Sequence, residues 1–228
     1  MTLRLGTALL ACTALAGCLG SGGGGGAGGG GGAGGGGGAA SPAAHDARYE
    51  ALSTQIATIN MPTSGQATYA GSVKTTLREN TTEIGTLLGD VQFTANFGTA
   101  FNDMTQQSVS GRVNNIRGTV GGEDVAFSGE LTTAAAQDRG VVSTMRIQQD
   151  TIEVPGVPTQ NLTTGAITAN FAGDLVLDER SGPVLLNLGG TFVGSGGSAA
   201  HGPAGGQWWG PGEPTQYTVS GTWYAERQ

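Results

Sequence analysis

Val91-Gln92-Phe93-Thr94-Ala95-Asn96-Phe97 sets an apolar side chain at every second position with a polar one between. Successive side chains of an extended backbone point to opposite sides, so this period of two marks a strand with one buried and one wet face. The alternation recurs in both directions. Upstream, Tyr69, Gly71 and Val73 stand against Thr68, Ala70 and Ser72. Downstream come Val109 to Val113, Val125 to Leu131, Val141 to Ile147, Ile167 to Leu175, Val184 to Phe192 and Tyr217 to Trp223. Turn-rich stretches such as Asn114 to Gly122 and Asp178 to Pro183 divide the runs.

Eight such runs without intervening helices predict an all-β domain, an eight-stranded antiparallel up-and-down barrel. Closure removes the exposed edges that an open sheet of this size would carry. A two-sheet sandwich is the alternative. A barrel of eight strands has an interior that side chains fill or that holds one small ligand, and the aromatics on the apolar faces favour filling. Glycines set among those aromatics, as at Tyr69-Gly71 and Gly190-Phe192, make room for rings or let strands coil. A membrane-spanning barrel would turn its apolar face outward. The Ser, Thr, Gln and Asn of the polar faces suit a lumen or water, so alternation leaves that choice open.

Ahead of the strands, Asp46 to Asn60 places Tyr49, Leu52, Ile56 and Ile59 at helical spacing, with Pro62 as a stop. A short amphipathic helix is expected within residues 45–62, covering one end of a barrel domain at 63–228.

The front of the chain reads differently. Arg4 precedes an apolar stretch from Leu5 to Leu15, which is too short to span a bilayer and suits a cleaved signal over residues 1–17. Leu15-Ala16-Gly17-Cys18 follows and looks like the lipobox of bacterial lipoproteins, in which the Cys18 thiol takes a lipid. An ordinary signal cleaved near Ala16 is the plainer alternative. Cys12 would leave with the signal, so Cys18 is the single cysteine expected in the mature chain and no disulfide is available to the barrel. Gly20 to Gly38, broken only by Ser21, Ala27 and Ala33, cannot repay its backbone entropy and is expected to form, within 18–44, a disordered tether. No strand precedes these glycines and no Lys-Ser/Thr follows them, which excludes a phosphate-binding loop. An anchor and tether favour a barrel that sits in water over one that spans the membrane.

Composition narrows function further. The formal net charge is −7 and Lys74 is the only lysine, so the chain repels phosphate backbones and no nucleic-acid partner is expected.

Signal, lipobox and polyglycine, followed by Met61-Pro62-Thr63-Ser64-Gly65 and Ala67-Thr68-Tyr69-Ala70-Gly71, resemble the barrel domain of transferrin-binding protein B and related surface lipoproteins. Asp90 to Gly98 (DVQFTANFG), Ser110-Gly111 and Phe127-Ser128-Gly129-Glu130 are similar to it as well. So are Gly189 to Gly194, Gly202-Pro203-Ala204 and Val219 to Tyr224, and the likeness runs over about residues 60 to 228. The resemblance implies an outer-membrane or cell-surface lipoprotein, held by its N-terminal lipid, delivered by an outer-membrane exporter and binding through loops. Ligands in such families are host proteins or small solutes, haem and iron carriers among them. The full receptor has two lobes, each with a handle domain, whereas this chain has one barrel. Gly205-Gly206-Gln207 also replaces the acidic residue that often follows the Gly-Pro-x-Ala turn, so no ligand-contact residue carries over.

Ser195 to Thr215, rich in Gly and Pro, reads as a long loop around His201, Trp208 and Trp209. Paired tryptophans are costly to leave in water and are favoured interface anchors, so these three residues are the candidate ligand contacts. The plainer reading has one Trp capping the barrel mouth and the other on a neighbouring strand. Two histidines in all, His45 and His201, are a poor basis for a metal or haem site, and no cofactor is expected. Catalysis lacks a pattern: there is no Gly-x-Ser-x-Gly elbow, and Asp174, Asp178 and Glu179 read as a charged turn. Arg112, Arg117, Arg139 and Arg146 could form an anion patch, against the default of scattered surface ion pairs. A binding module is expected, with a structural or shielding lipoprotein as the competing class and an enzyme as neither.

Overall fold

The computed structural model describes residues 38–228 apart from 104, 154, 157, 178–179 and 210–215. The signal, Cys18 and the glycine run up to residue 37 therefore lie outside the described residues. Ten strands form one antiparallel sheet that closes on itself. They are β1 (Gln66–Glu79), β2 (Thr82–Asn96), β3 (Val109–Val120), β4 (Glu123–Ala126), β5 (Leu131–Thr132), β6 (Thr144–Ile152), β7 (Gln160–Leu177), β8 (Arg180–Val193), β9 (Ala199–Trp209) and β10 (Gln216–Arg227). Among the described residues there are three helices: α1 (Pro42–Ser53) ahead of β1, and α2 (Phe97–Asn102) and α3 (Thr133–Asp138) between strands.

Around the ring, β2, β1, β10, β9, β8 and β7 pair in turn, and β2 also pairs with β3. The place between β3 and β7 is shared. Short β5 touches both at one level, while β6 pairs with β7 from Thr144↔Thr168 to Ile152↔Gln160. The ring is thus an eight-place barrel in which one place is pieced together. Side chains bridge that seam where backbone pairing lapses. Ser143 Oγ donates to the Asn170 carbonyl (3.0 Å) and accepts from the Asn170 N–H (2.8 Å). Ser108 Oγ accepts from the Met145 N–H, and Thr133 Oγ1 accepts from the Gly111 N–H at 3.0 Å.

Inward faces follow the period of two. Tyr69, Val73 and Leu77 of β1, Val91, Phe93 and Ala95 of β2, and Ile167, Phe171 and Leu175 of β7 join one continuous core. The apolar alternation is what drives closure, because each strand hides one row of side chains and leaves the other in water. Both expected uses of glycine occur. Trp223 lies against Gly190, where a Cβ would come within 3.0 Å of the ring, and a Cβ at Gly71 would overlap the Tyr224 carbonyl of the adjacent strand.

Several boundaries differ from the sequence reading. Arg180 to Pro183, expected as part of a turn, begins β8 and pairs with β7, and the run expected from Val141 becomes strand at Thr144. The expected helix within 45–62 runs instead from Pro42, capped by Ser41 accepting from the Ala44 N–H, and ends at Ser53. Its barrel-facing side carries His45, Tyr49 and Leu52, and Ile56 and Ile59 lie beyond it. Asn114 to Gly122 is mostly strand, the turn being confined to Gly121 and Gly122 at φ 62° and 87°. The expected strand Val125 to Leu131 is broken, because Gly129 takes φ 107° and splits it between β4 and β5. The expected loop Ser195 to Thr215 is strand β9 over Ala199–Trp209. Its inward row reads Ala200, Gly202, Ala204, Gly206 and Trp208, nearly bare of large apolar side chains, so alternation is invisible in the sequence. Backbone pairing to β8 and β10 on both sides makes it a strand nonetheless.

Candidate functional site

The barrel has two unlike ends. At one, the tight turns β1–β2 and β3–β4 lie with the ends of β7 and β9; this is the hairpin end. At the other, residues 54–64 lead into β1 and meet the start of β7 and the β8–β9 connection; this is the crossover end.

Backbone pairing holds the crossover segment. Thr58 N–H donates to the Phe192 carbonyl (2.9 Å), Met61 N–H to Thr163 (2.9 Å), and Thr163 N–H to Ile59 (2.7 Å). Met61 drops into the core, 4% exposed, and seals the barrel from above. Beneath it Tyr69 donates its hydroxyl to the Gly197 carbonyl at 2.6 Å and stacks on Phe93. Burial raises the Tyr69 pKa to about 12, so this phenol stays a donor at any physiological pH. With its amides committed downward, the segment presents Ile56 and Ile59 outward, 86% and 53% exposed. They line an open groove of about 680 Å3 with Leu162, Asn60, Gln160 and Ser195. Ile152, at the tip of β6, and Phe101, on α2, add exposed apolar side chains at this end. Of these four exposed side chains, Ile56 and Ile59 share the groove.

The hairpin end is built differently. Trp208 packs edge-on against Phe127 (5.4 Å between ring centroids) and lies 5.1 Å from Tyr217. Only 5% of it is exposed, so it is a core residue rather than a displayed anchor. Trp209 follows on the same strand, half-buried and turned to the opposite face. His201, the third candidate, lies toward the opposite end of the same strand, paired with Tyr224 on β10 and Thr191 on β8. The three residues thus do not converge on one surface, because a strand separates His201 from Trp208 by its length.

His201 belongs instead to an aromatic cluster on the outer wall. Tyr49 of α1 meets its ring edge-on at 5.6 Å, and His45 lies 5.3 Å from Tyr224. Fully buried, His45 bonds Ser72 Oγ through Nδ1 (2.9 Å) and Thr222 Oγ1 through Nε2 (3.0 Å). Burial, helped by the positive charge of Lys74 and opposed by Asp46, lowers its pKa to about 4. Burial also lowers that of His201. Ion pairs Arg48–Glu226 and Lys74–Asp46 flank the cluster. Its job is to dock α1, since both imidazole nitrogens of His45 are already spent.

Among the described residues, no group of three or more His, Cys, Asp or Glu is placed to hold a metal ion, and no helix is long and apolar enough to cross a membrane. Arg117 reaches the Ala39 carbonyl (2.9 Å) and Arg112 the Gln92 amide oxygen (3.1 Å). Arg139 caps α3 and Arg146 sits on β6, so the four arginines occupy three different elements. Asp174 is exposed on β7, and Asp178 and Glu179 lie outside the described residues. The crossover groove was missed in the sequence because its isoleucines fit a helical stripe equally well.

The fold and its two ends define a closed antiparallel barrel with a filled interior. No protein-family model matches the chain, and comparison with curated proteins and with solved structures finds no significant match.

Proposed function

We propose that this chain is a lipid-anchored binding lipoprotein of the bacterial outer membrane or cell surface, capturing a protein or small solute through the loops of its crossover end. The observation that carries the reading is the outward presentation of Ile56 and Ile59 over a groove of about 680 Å3. Rigid backbone pairing beneath them pre-organises the surface, which lowers the ordering cost of binding. Leu15-Ala16-Gly17-Cys18 and the following glycines support the anchor and tether. The likeness to transferrin-binding protein B-type barrels supports surface exposure, an outer-membrane exporter and a host protein or an iron- or haem-linked ligand.

The test is a capture experiment from host or environmental fluid with immobilised wild-type chain and with Ile56→Asp/Ile59→Asp. A species retained by the wild type and lost by a variant of unchanged melting temperature supports the reading. Equal retention by both moves the site elsewhere. Retention of nothing favours a structural or shielding envelope role.

A further inference from the structure

One wall of the crossover groove hangs from α1. Thr54 N–H donates to the Glu50 carbonyl (3.3 Å) and Gln55 N–H to the Leu52 carbonyl (3.0 Å), and both residues line the groove beside Ile56 and Ala57. Beyond them the chain is fixed again, by the bridge between Ala57 and Val193 and by Thr58 N–H on the Phe192 carbonyl. The wall is therefore held at two ends, and one of them is the helix.

The helix itself is held by little. Its buried residues are His45 and Leu52. Leu52 packs with Val193, Ala199 and Tyr224 in a cluster separate from the barrel core that contains Met61, Tyr69 and Phe192. A satellite of this kind can open locally while the core stays closed. His45 is wedged between Ser72 of β1 and Thr222 of β10, with both ring nitrogens bonded. An imidazolium buried there would need a counter-ion. The carboxylates beside it are already engaged, Asp46 with Lys74 and Glu226 with Arg48. The other groups around it are the Tyr224 phenol of β10 and, across Tyr49, His201 of β9, whose Nδ1 has no hydrogen-bond partner among the described residues. Neither the phenols nor the second imidazole supplies negative charge at neutral or acid pH.

We propose that α1 is a proton-released latch on the crossover groove: protonation of His45 frees the helix, and with it the wall at residues 54–57, so that a ligand held at neutral pH is let go in acid. This rests on the reading of the groove as the capture site. The docked helix resists a proton that the free helix takes, so acid favours release. The His45 pKa is 6.5 when free and about 4 when docked, so release sets in as the pH falls below about 6.5 and the effect levels off below about 4. Between pH 7 and pH 5 the ratio of free to docked helix should rise roughly twentyfold.

The experiment is 15N relaxation dispersion, which reads exchange with a minor opened state, on the full-length chain carrying Cys18→Ser at pH 7 and pH 5. On acidification α1 and residues 54–57 should exchange together, with one common and rising minor population, while Met61 and Thr163 stay quiet. His45→Gln keeps a donor and an acceptor for the two hydroxyls without a titrating ring, and should show the same small population at both pH values. Leu52→Ala removes the apolar hold and should raise the population in α1 and residues 54–57 already at pH 7, which decides the coupling if His45→Gln does not fold. Exchange in α1 without exchange in residues 54–57 overturns the proposal. So does an equal rise in His45→Gln, and so does a population that is the same at pH 7 and pH 5 in the parent. The measurement needs no ligand, so the latch can fail while capture by the groove succeeds, and capture can fail while the latch opens.

Discussion

Trp223 packs so close to Gly190 that a Cβ there would come to 3.0 Å from its Cζ2. The same Cβ would run into the His201 carbonyl on β9. Gly190→Ala therefore strikes both a core ring and a neighbouring backbone, and backbone cannot step aside as a side-chain tip can. A loss of about 1–3 kcal/mol is expected, the range for overpacking a well-packed core. Urea unfolding of the variant checks it, and an unchanged midpoint would show that the ring has room to move.

The pieced seam between β3 and β7 makes a second expectation. Ser143 Oγ serves both backbone groups of Asn170, whose side chain in turn reaches the Val142 carbonyl (2.8 Å) and accepts from Asn187 (2.7 Å). Ser143→Ala strands a buried N–H, which costs roughly 1–3 kcal/mol. Amide exchange should quicken at Asn170 and along the Thr144 to Ile147 part of β6 more than in β1 or β10. Uniform quickening around the barrel would argue that the seam unfolds with everything else.

Docking of α1 should depend on pH through His45. Its pKa is 6.5 when free and about 4 when docked, so the docked state refuses a proton that the undocked state takes. Stability from docking is complete above about pH 6.5 and falls as the pH drops toward 4, by about 3 kcal/mol in all. Amide protection in α1, followed from pH 7 to 4.5, should decline in the wild type and much less in His45→Gln. Parallel declines in the two would show that His45 does not carry the pH dependence.

The anchor is tested through Cys18. Cys18→Ser should move the protein from the membrane fraction to the soluble one and abolish incorporation of labelled palmitate, with no change in the melting temperature of the barrel. Membrane association that survives the substitution would leave the lipobox reading without support.

What could be read without the structure follows from where the physical signal is local. Alternation in Val91 to Phe97 and in Ile167 to Leu175 states the strand and its buried face at once, because each side chain reports its own environment. Strand β9 gave no such report. Its inward residues are small up to Gly206, and pairing to β8 and β10, distant in the chain, makes it a strand. Ile56 and Ile59 misled in the opposite way, since their spacing from Leu52 fits a helix that ends at Ser53 in the fold. Once the crossover segment pairs with Phe192 and Thr163, those isoleucines have nowhere to go but outward.

The amino-acid sequence by itself determined the all-β class of the domain and the buried face of strands such as β2 and β7, both of which depend on periods a few residues long. Only the tertiary structure decided that Trp208 turns inward into the core while His201 packs on the outer wall. Their side chains are assigned by pairing between strands far apart in sequence, and a shift of one residue in that register would have exchanged inside for outside.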